Sequence, residues 1–276
     1  MSKFYFCSFA DSRLHRSLSR IENQAREFNV YHSIHVCNET VLNDDFKQKF
    51  AQYLKPGIRG FGFWCWKPQI ILQILQEMEM GDVLQYTDSG CHLNPKGKKR
   101  LLEYFEIVSK SQSGILAFKS KSEEEIEAGD LNSPILEFQY NKGELLEYFD
   151  CLNDKSITHT PQFQGGIIFI RKEKSTVEFV KNWISVFEKN FNLLDDSPSK
   201  IPNIPGFIEH RHDQSIFSLL CKRMGVDYLF TNEYFTVNEW ENLDEKPIWV
   251  KWDKDFGIIE RVKNFIRRQV LQMTKG

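Results

Sequence analysis

The chain has 276 residues, which is enough for one large α/β domain or two small ones. Its 41% hydrophobic and 27% charged residues are typical of a globular protein, and its net charge of −2 gives no indication of a nucleic-acid partner. The six cysteines lack the spacing of a zinc site, which favours a reducing, cytoplasmic compartment. No apolar run approaches the roughly 20 residues of a membrane span. The aromatic N-terminal segment is typical of a strand rather than a signal peptide.

Hydrophobic periodicity predicts alternating strands and helices along most of the chain. Strands are predicted at residues 3–9, 30–37, 82–86, 115–118 and 226–230, and residues 162–171 are predicted to be a Gly-Gly turn that leads into an apolar strand. Helices are predicted at residues 11–28, 44–54, 68–80, 98–110, 175–191 and 210–224, with a loop at 192–206 and either a charged loop or a frayed helix at 119–133. This order is typical of an α/β domain with a mostly parallel central sheet flanked by helices. We predict a single domain over residues 1–252, followed by a basic amphipathic helix at 253–276.

The most informative segment, residues 55–95, delivers one carboxylate to the end of a short apolar strand. Open α/β sheets bind ligands at the carboxyl ends of their strands. Asp88 and the adjacent Thr87 are therefore candidates to contact a phosphorylated ligand. A hard cation that bridges two phosphates prefers carboxylate oxygens, so Asp88 is also a candidate Mn²⁺ or Mg²⁺ ligand. The alternative is that Asp88 caps a turn with Ser89 and Gly90.

A glycine- and tryptophan-rich loop, R-G-F-G-F-W-C-W-K-P, precedes the helix predicted at 68–80. Its two glycines permit an unusual backbone path. Arg59 and Lys67 are candidates to bind a diphosphate, because both side chains carry positive charge. Trp64 and Trp66 either pack beneath the loop or form the wall of a sugar pocket.

Two segments with small side chains are expected to let a ligand approach the backbone. These are Ser8, Phe9 and Ala10 after the first strand, where a nucleotide base and ribose would lie, and Gln164, Gly165 and Gly166 in a predicted Gly-Gly turn. Both segments are also compatible with ordinary turns.

The segment H-R-H-D-Q at residues 210–214 is dense in titratable groups and precedes a helical pattern. Asp213 is a candidate N-cap, or a base that deprotonates a hydroxyl. His212 is a candidate to tune that base or to bind a metal.

Taken together, these segments resemble bacterial GT-A-type glycosyltransferases that build capsule, lipooligosaccharide or O-antigen chains. The matching pieces lie between residue 3 and about residue 220: F-Y-F-C-S-F-A-D, R-G-F-G-F-W-C-W-K-P, G-D-V-L-Q-Y-T-D-S-G, Q-F-Q-G-G-I-I-F-I-R and H-R-H-D-Q-S-I-F. The resemblance implies a GT-A-like (Rossmann-like) fold and a hexosyl transfer from a nucleotide-sugar donor, usually UDP-linked. The acceptor would be a hydroxyl of a glycan or lipid-linked glycan.

In the resemblance, Asp88 corresponds to the first carboxylate of the Asp-x-Asp motif of such enzymes, and the second position is Gly90. Either His212 or Asp213 then completes a metal site with Asp88, or Lys67 and Arg59 neutralise the leaving diphosphate. An inverting enzyme needs a base on the acceptor side, for which Asp213 is favoured. In a retaining enzyme Gln164 would face the anomeric carbon instead.

The last 20 residues combine an apolar helical face with five basic residues from Arg261 onward and no acidic residue beyond that point. Such a helix is expected to bind an anionic membrane surface, here the inner face of the cell membrane, or to dock on the domain. Two other functions are open. A sugar nucleotidyltransferase would carry a glycine-rich loop after the first strand, and residues 8–13 contain no glycine. A non-catalytic glycan-binding or scaffold protein on the same fold is compatible with Gly90.

Overall fold

The computed structural model describes residues 2–122, 134–234 and 243–251. Within them, six strands form one sheet in the order β2-β1-β3-β6-β5-β7, and two more form an antiparallel pair, β4-β8. Their bounds are β1 Phe4–Phe9, β2 Ser33–Cys37, β3 Val83–Thr87, β4 Cys91–Leu93, β5 Ile115–Lys119, β6 Phe163–Arg171, β7 Asp227–Phe230 and β8 Ile248–Val250. In the large sheet β6 runs antiparallel to both of its neighbours, whereas the β1–β2, β1–β3 and β5–β7 pairs are parallel.

Helices cover both faces of the large sheet. Their bounds are α1 His15–Phe28, α2 Asp44–Lys49, α3 Trp66–Glu77, α4 Lys98–Lys110, α5 Glu137–Tyr140, α6 Gly143–Tyr148, α7 Lys155–Thr158, α8 Lys174–Lys189 and α9 Asp213–Met224. Short 3₁₀ turns lie at Ser12–Leu14, Glu39–Val41, Pro95–Gly97, Phe191–Leu193 and Thr231–Glu233. The predicted fold class, a mostly parallel sheet flanked by helices, is confirmed.

Two hydrophobic cores hold these layers together, one on each face of the sheet. Side chains alternate along a strand, so β6 sends Ile168 into one core and Phe169 into the other. The first core takes the apolar faces of α3, α8 and α9, and the second takes those of α1 and α4. The sheet is therefore buried on both faces, and its edge at the carboxyl ends of β1 and β3 is left for a ligand.

The structure corrects the prediction for the Gly-Gly segment. Gly165 and Gly166 do not form a turn but lie inside β6. The reason is close packing. A Cβ at Gly165 would lie 3.3 Å from the Cβ of Gln214, and one at Gly166 would lie 3.1 Å from Asp88 Oδ2. A side chain at either position would require these neighbours to shift by a few tenths of an ångström, so the close approach of other elements favours glycine here.

Several elements differ from the sequence-based expectation. The helix predicted at 44–54 ends at Lys49, and the three short helices between residues 137 and 158 were not predicted. The pair β4–β8 was also missed, because its strands have only three residues each. The predicted helix at 253–276 and most of the predicted loop at 119–133 lie outside the described residues. Among those that are described, no helix has both the length and the apolar character to cross a membrane.

Candidate active site

A cavity of about 830 Å³ opens at the edge of the sheet where β1 and β3 end and β6 begins. It brings together most of the residues singled out from the sequence: Phe9, Ala10, Arg59, Trp66, Lys67, Asp88, Gln164, Gly165, Gly166, His212 and Asp213. Ser8 and Thr87 do not line it. Both are buried within strands, and the Thr87 hydroxyl accepts a hydrogen bond from Gln85.

Lys67 lies at the centre of the polar part of the site, in the first turn of α3, with only 3% of its side chain exposed. Its Nζ is 2.7 Å from Asp213 Oδ2 and 3.4 Å from Asp88 Oδ1, and it donates a hydrogen bond of 2.9 Å to the Gly165 carbonyl oxygen. Burial opposes a charge on this ammonium, but the two carboxylates outweigh burial and raise the pKa of Lys67. The cavity therefore contains a fixed, desolvated positive charge.

Asp88 follows β3 directly, as predicted, and 38% of its side chain is exposed. The Tyr86 hydroxyl donates a hydrogen bond of 2.7 Å to its Oδ1, and its backbone N–H donates one of 2.8 Å to the Gly166 carbonyl. Lys67 also contacts Oδ1, so Oδ2 is the oxygen on the Gly166 side. The carboxylate is held firmly by one oxygen while the other remains available to a ligand.

Asp213 is the first residue of α9 and is buried. Burial raises its pKa to about 6, although Lys67 acts in the opposite direction. This carboxyl therefore titrates close to neutral pH, in the range suited to a general base. The alternative of Asp213 as the N-cap is wrong, because His212 occupies that position.

His212 is buried beside Asp213 with a backbone φ of 55°, which is rare outside glycine. Its Nδ1 lies 2.7 Å from the Leu194 carbonyl oxygen, which can only accept, so the proton is on Nδ1. Nε2 faces Asp196 at 3.5 Å, and burial lowers the pKa of the ring, which is therefore neutral at pH 7. This arrangement orients the imidazole towards the loop at 193–196.

The described part of the chain contains no group of three or more His, Cys, Asp or Glu side chains placed to hold a metal ion. A metal site built from Asp88 with either His212 or Asp213 therefore stays a prediction. A single carboxylate nevertheless fits Mg²⁺ or Mn²⁺ that arrives with a diphosphate, since such ions take most of their ligands from phosphate and water. The available Oδ2 of Asp88 is suited to that use.

Charged side chains around the cavity balance one another. Four acidic side chains (Asp11, Asp88, Glu209 and Asp213) and four basic ones (Arg13, Arg59, Lys67 and Arg211) line it. Some of them neutralise each other directly: Arg13 pairs with Asp11 at 2.6 Å, and Arg59 lies 3.5 Å from Glu209. An anionic ligand thus meets no excess positive charge at neutral pH.

Sequence reasoning missed a buried chain of hydrogen bonds behind the cavity. The Gly165 N–H donates to Gln214 Oε1 at 3.1 Å, Gln214 Nε2 donates to Gln162 Oε1 at 2.7 Å, and Gln162 Nε2 donates to Glu137 Oε2 at 3.2 Å. Because a carboxylate can only accept hydrogen bonds, Glu137 fixes the orientation of the Gln162 amide, and that amide fixes the orientation of the Gln214 amide. Gln214 also lines the cavity and belongs to the H-R-H-D-Q motif. Glu137 had no signal in the sequence.

No family model matches the chain, and no curated protein matches its sequence. Solved structures that are similar to this chain include a glycosyltransferase involved in the glycosylation of the major capsid of PBCV-1, at 13% identity and a TM-score of 0.48 over 90% of this chain and 92% of the other. Mouse xyloside xylosyltransferase 1 has 9% identity and a TM-score of 0.45, over 93% of this chain and 99% of the xylosyltransferase. The galactosyltransferase LgtC, in complex with donor and acceptor sugar analogs, has 11% identity and a TM-score of 0.46, over 89% of this chain and 86% of LgtC. The function of this chain has to be argued from its own cavity.

Proposed function

We propose that the protein is a glycosyltransferase that moves a hexosyl group from a UDP-linked donor to a hydroxyl of a surface-glycan precursor. The observation that carries this proposal is the cluster of Lys67, Asp88 and Asp213 at the carboxyl edge of the sheet. It combines a buried cation, a half-exposed carboxylate and a carboxyl with a pKa near neutrality beside a cavity large enough for a nucleotide sugar. The sequence resemblance to enzymes of capsule, lipooligosaccharide and O-antigen synthesis supports the choice of acceptor.

In this proposal Asp213 is the base of an inverting transfer. It accepts the proton of the acceptor hydroxyl while the hydroxyl oxygen bonds to the anomeric carbon, and the nucleotide diphosphate leaves with the electrons of the broken bond. Lys67 shares its desolvated positive charge between the two carboxylates and the negative charge that develops on the leaving group.

Asp88 is the residue that would hold Mg²⁺ or Mn²⁺ in the proposed site. When bound, such a cation would neutralise the donor diphosphate, because the charged side chains that line the cavity are equal in number and leave no excess positive charge. The role of the chain is to orient Asp88, through Tyr86 and the Gly166 carbonyl, so that one carboxylate oxygen stays available.

The test is the release of nucleotide diphosphate from a panel of UDP-, GDP- and dTDP-linked hexoses with purified protein. We expect release from at least one UDP-hexose, and a rate reduced roughly 100-fold by Asp88→Asn or Lys67→Met, since each removes stabilisation of the leaving group. Asp44→Asn is the matched control, because Asp44 is 97% exposed and does not line the cavity. Equal rates for all variants would contradict the roles given to Asp88 and Lys67. No release from any donor would contradict the proposal as a whole and favour a non-catalytic glycan-binding protein.

A further inference from the structure

The loop that enters α3 contains five consecutive residues with left-handed backbone. Their φ angles are 57° at Gly60, 53° at Phe61, 94° at Gly62, 54° at Phe63 and 61° at Trp64. Glycine adopts such angles freely, but in the three aromatic residues Cβ is forced against the backbone. Strained conformations of this kind persist where the surrounding structure holds them, and they cluster at ligand sites. The strained turn is therefore expected to position a side chain for a ligand.

The indole of Trp64 lies directly on the backbone of Gly60. A Cβ at Gly60 would come within 2.4 Å of Trp64 Cδ2, so no other residue leaves room for the ring. The indole also contacts the imidazole of His212, with ring centroids 5.5 Å apart and ring planes tilted by 32°. The left-handed turn and Gly60 together fix the position of this ring.

The two tryptophans of the loop differ in what they present to the cavity. Trp66 is buried, its indole N–H donates a hydrogen bond of 2.9 Å to the Gly60 carbonyl, and its face stacks on Phe9 at 3.9 Å. Trp64 also lines the cavity but stays half-buried. The sequence left two roles open for these tryptophans, packing beneath the loop and forming the wall of a sugar pocket. Trp66 fits the first role, and the half-buried Trp64 fits the second because part of its side chain is exposed in the cavity.

We propose that the indole of Trp64 is the stacking surface for a pyranose ring in this cavity. The less polar face of a pyranose carries several C–H bonds, whose partial positive charge is attracted to the negative face of an indole. Arg59, Glu209 and Arg211 line the same cavity and offer polar groups to the ring hydroxyls. The inference rests on the proposed function and names the subsite that recognises the sugar as distinct from the nucleotide.

The test compares ligands that differ by a sugar. Calorimetry measures the Kd values of UDP, UDP-glucose and UDP-galactose for the wild type and for Trp64→Asn. NMR titration with methyl glucoside and methyl galactoside, each with and without UDP, tests a sugar that belongs to the acceptor. Asparagine tolerates left-handed backbone, so this variant removes the ring and retains the turn. Trp64→Phe keeps an aromatic face, and Trp249→Phe removes an indole that does not line the cavity.

We expect Trp64→Asn to bind UDP like the wild type and the sugar-bearing ligands about tenfold more weakly, with partial recovery in Trp64→Phe. Weaker binding of UDP-hexose places the donor sugar on Trp64, and weaker binding of the methyl glycosides alone places the acceptor there. Unchanged affinities for every sugar in folded Trp64→Asn would overturn the inference while UDP binding leaves the proposed function intact. If UDP does not bind the wild type, the proposed function fails, and the glycoside titrations without UDP still decide the role of Trp64.

Discussion

Lys67 is the residue on which the electrostatics of the site depend. Its ammonium is shared by Asp213, Asp88 and the Gly165 carbonyl oxygen, and the ion pair with Asp213, at 2.7 Å, is the shortest of these three contacts. Burial, and to a smaller extent the neighbouring Asp88 carboxylate, raises the pKa of Asp213, and the single Lys67 ammonium only partly offsets this.

The pKa of Asp213 predicts the pH dependence of the proposed reaction. A base has to be ionised, so kcat/KM is expected to fall as the pH falls through about 6, approaching a tenfold loss per pH unit. A rate profile between pH 4.5 and 8 measures this, and Asp213→Asn is expected to remove both the limb and most of the rate. A profile without a limb near pH 6 would instead favour a retaining reaction that needs no such base.

The raised pKa of Asp213 also makes the free energy of unfolding depend on pH, in the absence of any substrate. The folded protein binds the Asp213 proton more tightly than the unfolded chain, whose ordinary value is 3.8. The contribution of this group to the free energy of unfolding therefore decreases as the pH rises from about 4 to about 6. Urea unfolding of the wild type and of Asp213→Asn across that window is expected to differ in this slope.

At the scale of elements, the start of β6 is positioned by Glu137 at the first turn of α5. This carboxylate is fully buried and contacts Gln162, Asn141, the Ser218 hydroxyl and, at 3.4 Å, the Lys222 ammonium. Ser218 in turn accepts the Phe163 N–H at 2.8 Å. The strand that carries Gly165 and Gly166 is thus anchored to α5 and α9 just before it reaches the cavity.

Glu137→Gln is expected to lower the free energy of unfolding by about 3 kcal/mol, because it leaves Lys222 without its buried partner and lets the amides behind the cavity reorient. Urea unfolding at pH 7 measures the change. The double variant Glu137→Gln, Lys222→Met is the control, since it removes the uncompensated charge and should recover part of the loss. A change below about 0.5 kcal/mol in the single variant would show that Glu137 does not anchor β6.

Particular elements show what the sequence could and could not predict. The apolar strand that ends at Asp88 was identifiable, because a buried strand followed by a lone carboxylate is a local pattern. The left-handed turn was visible only as an unusual cluster of glycine and aromatic residues, since its backbone depends on the packing of Trp64 against Gly60. The Gly-Gly pair was misinterpreted because the elements that crowd it, Asp88 and Gln214, lie far away in sequence.

At the scale of the whole molecule, the order of strands and helices could be predicted from periodicity, and the position of the cavity followed from the sheet. The reversed direction of β6 could not, because the connection through three short helices at 137–158 leaves no clear periodic signal. That reversal matters for the site. It brings the beginning of β6, rather than its end, beside Asp88, so that residues 164–166 and Asp213 meet around Lys67.

The most direct test of the account is a calorimetric titration of the purified protein with UDP and with GDP, each in Mn²⁺ and in EDTA, together with Asp88→Asn. The account predicts that UDP binds more tightly than GDP, that Mn²⁺ strengthens this binding and that Asp88→Asn removes the effect of Mn²⁺. UDP binding that is unchanged in EDTA would transfer the neutralising role to Lys67 and Arg59. Absence of binding to either nucleotide under every condition would contradict the central claim that this cavity accepts a nucleotide sugar.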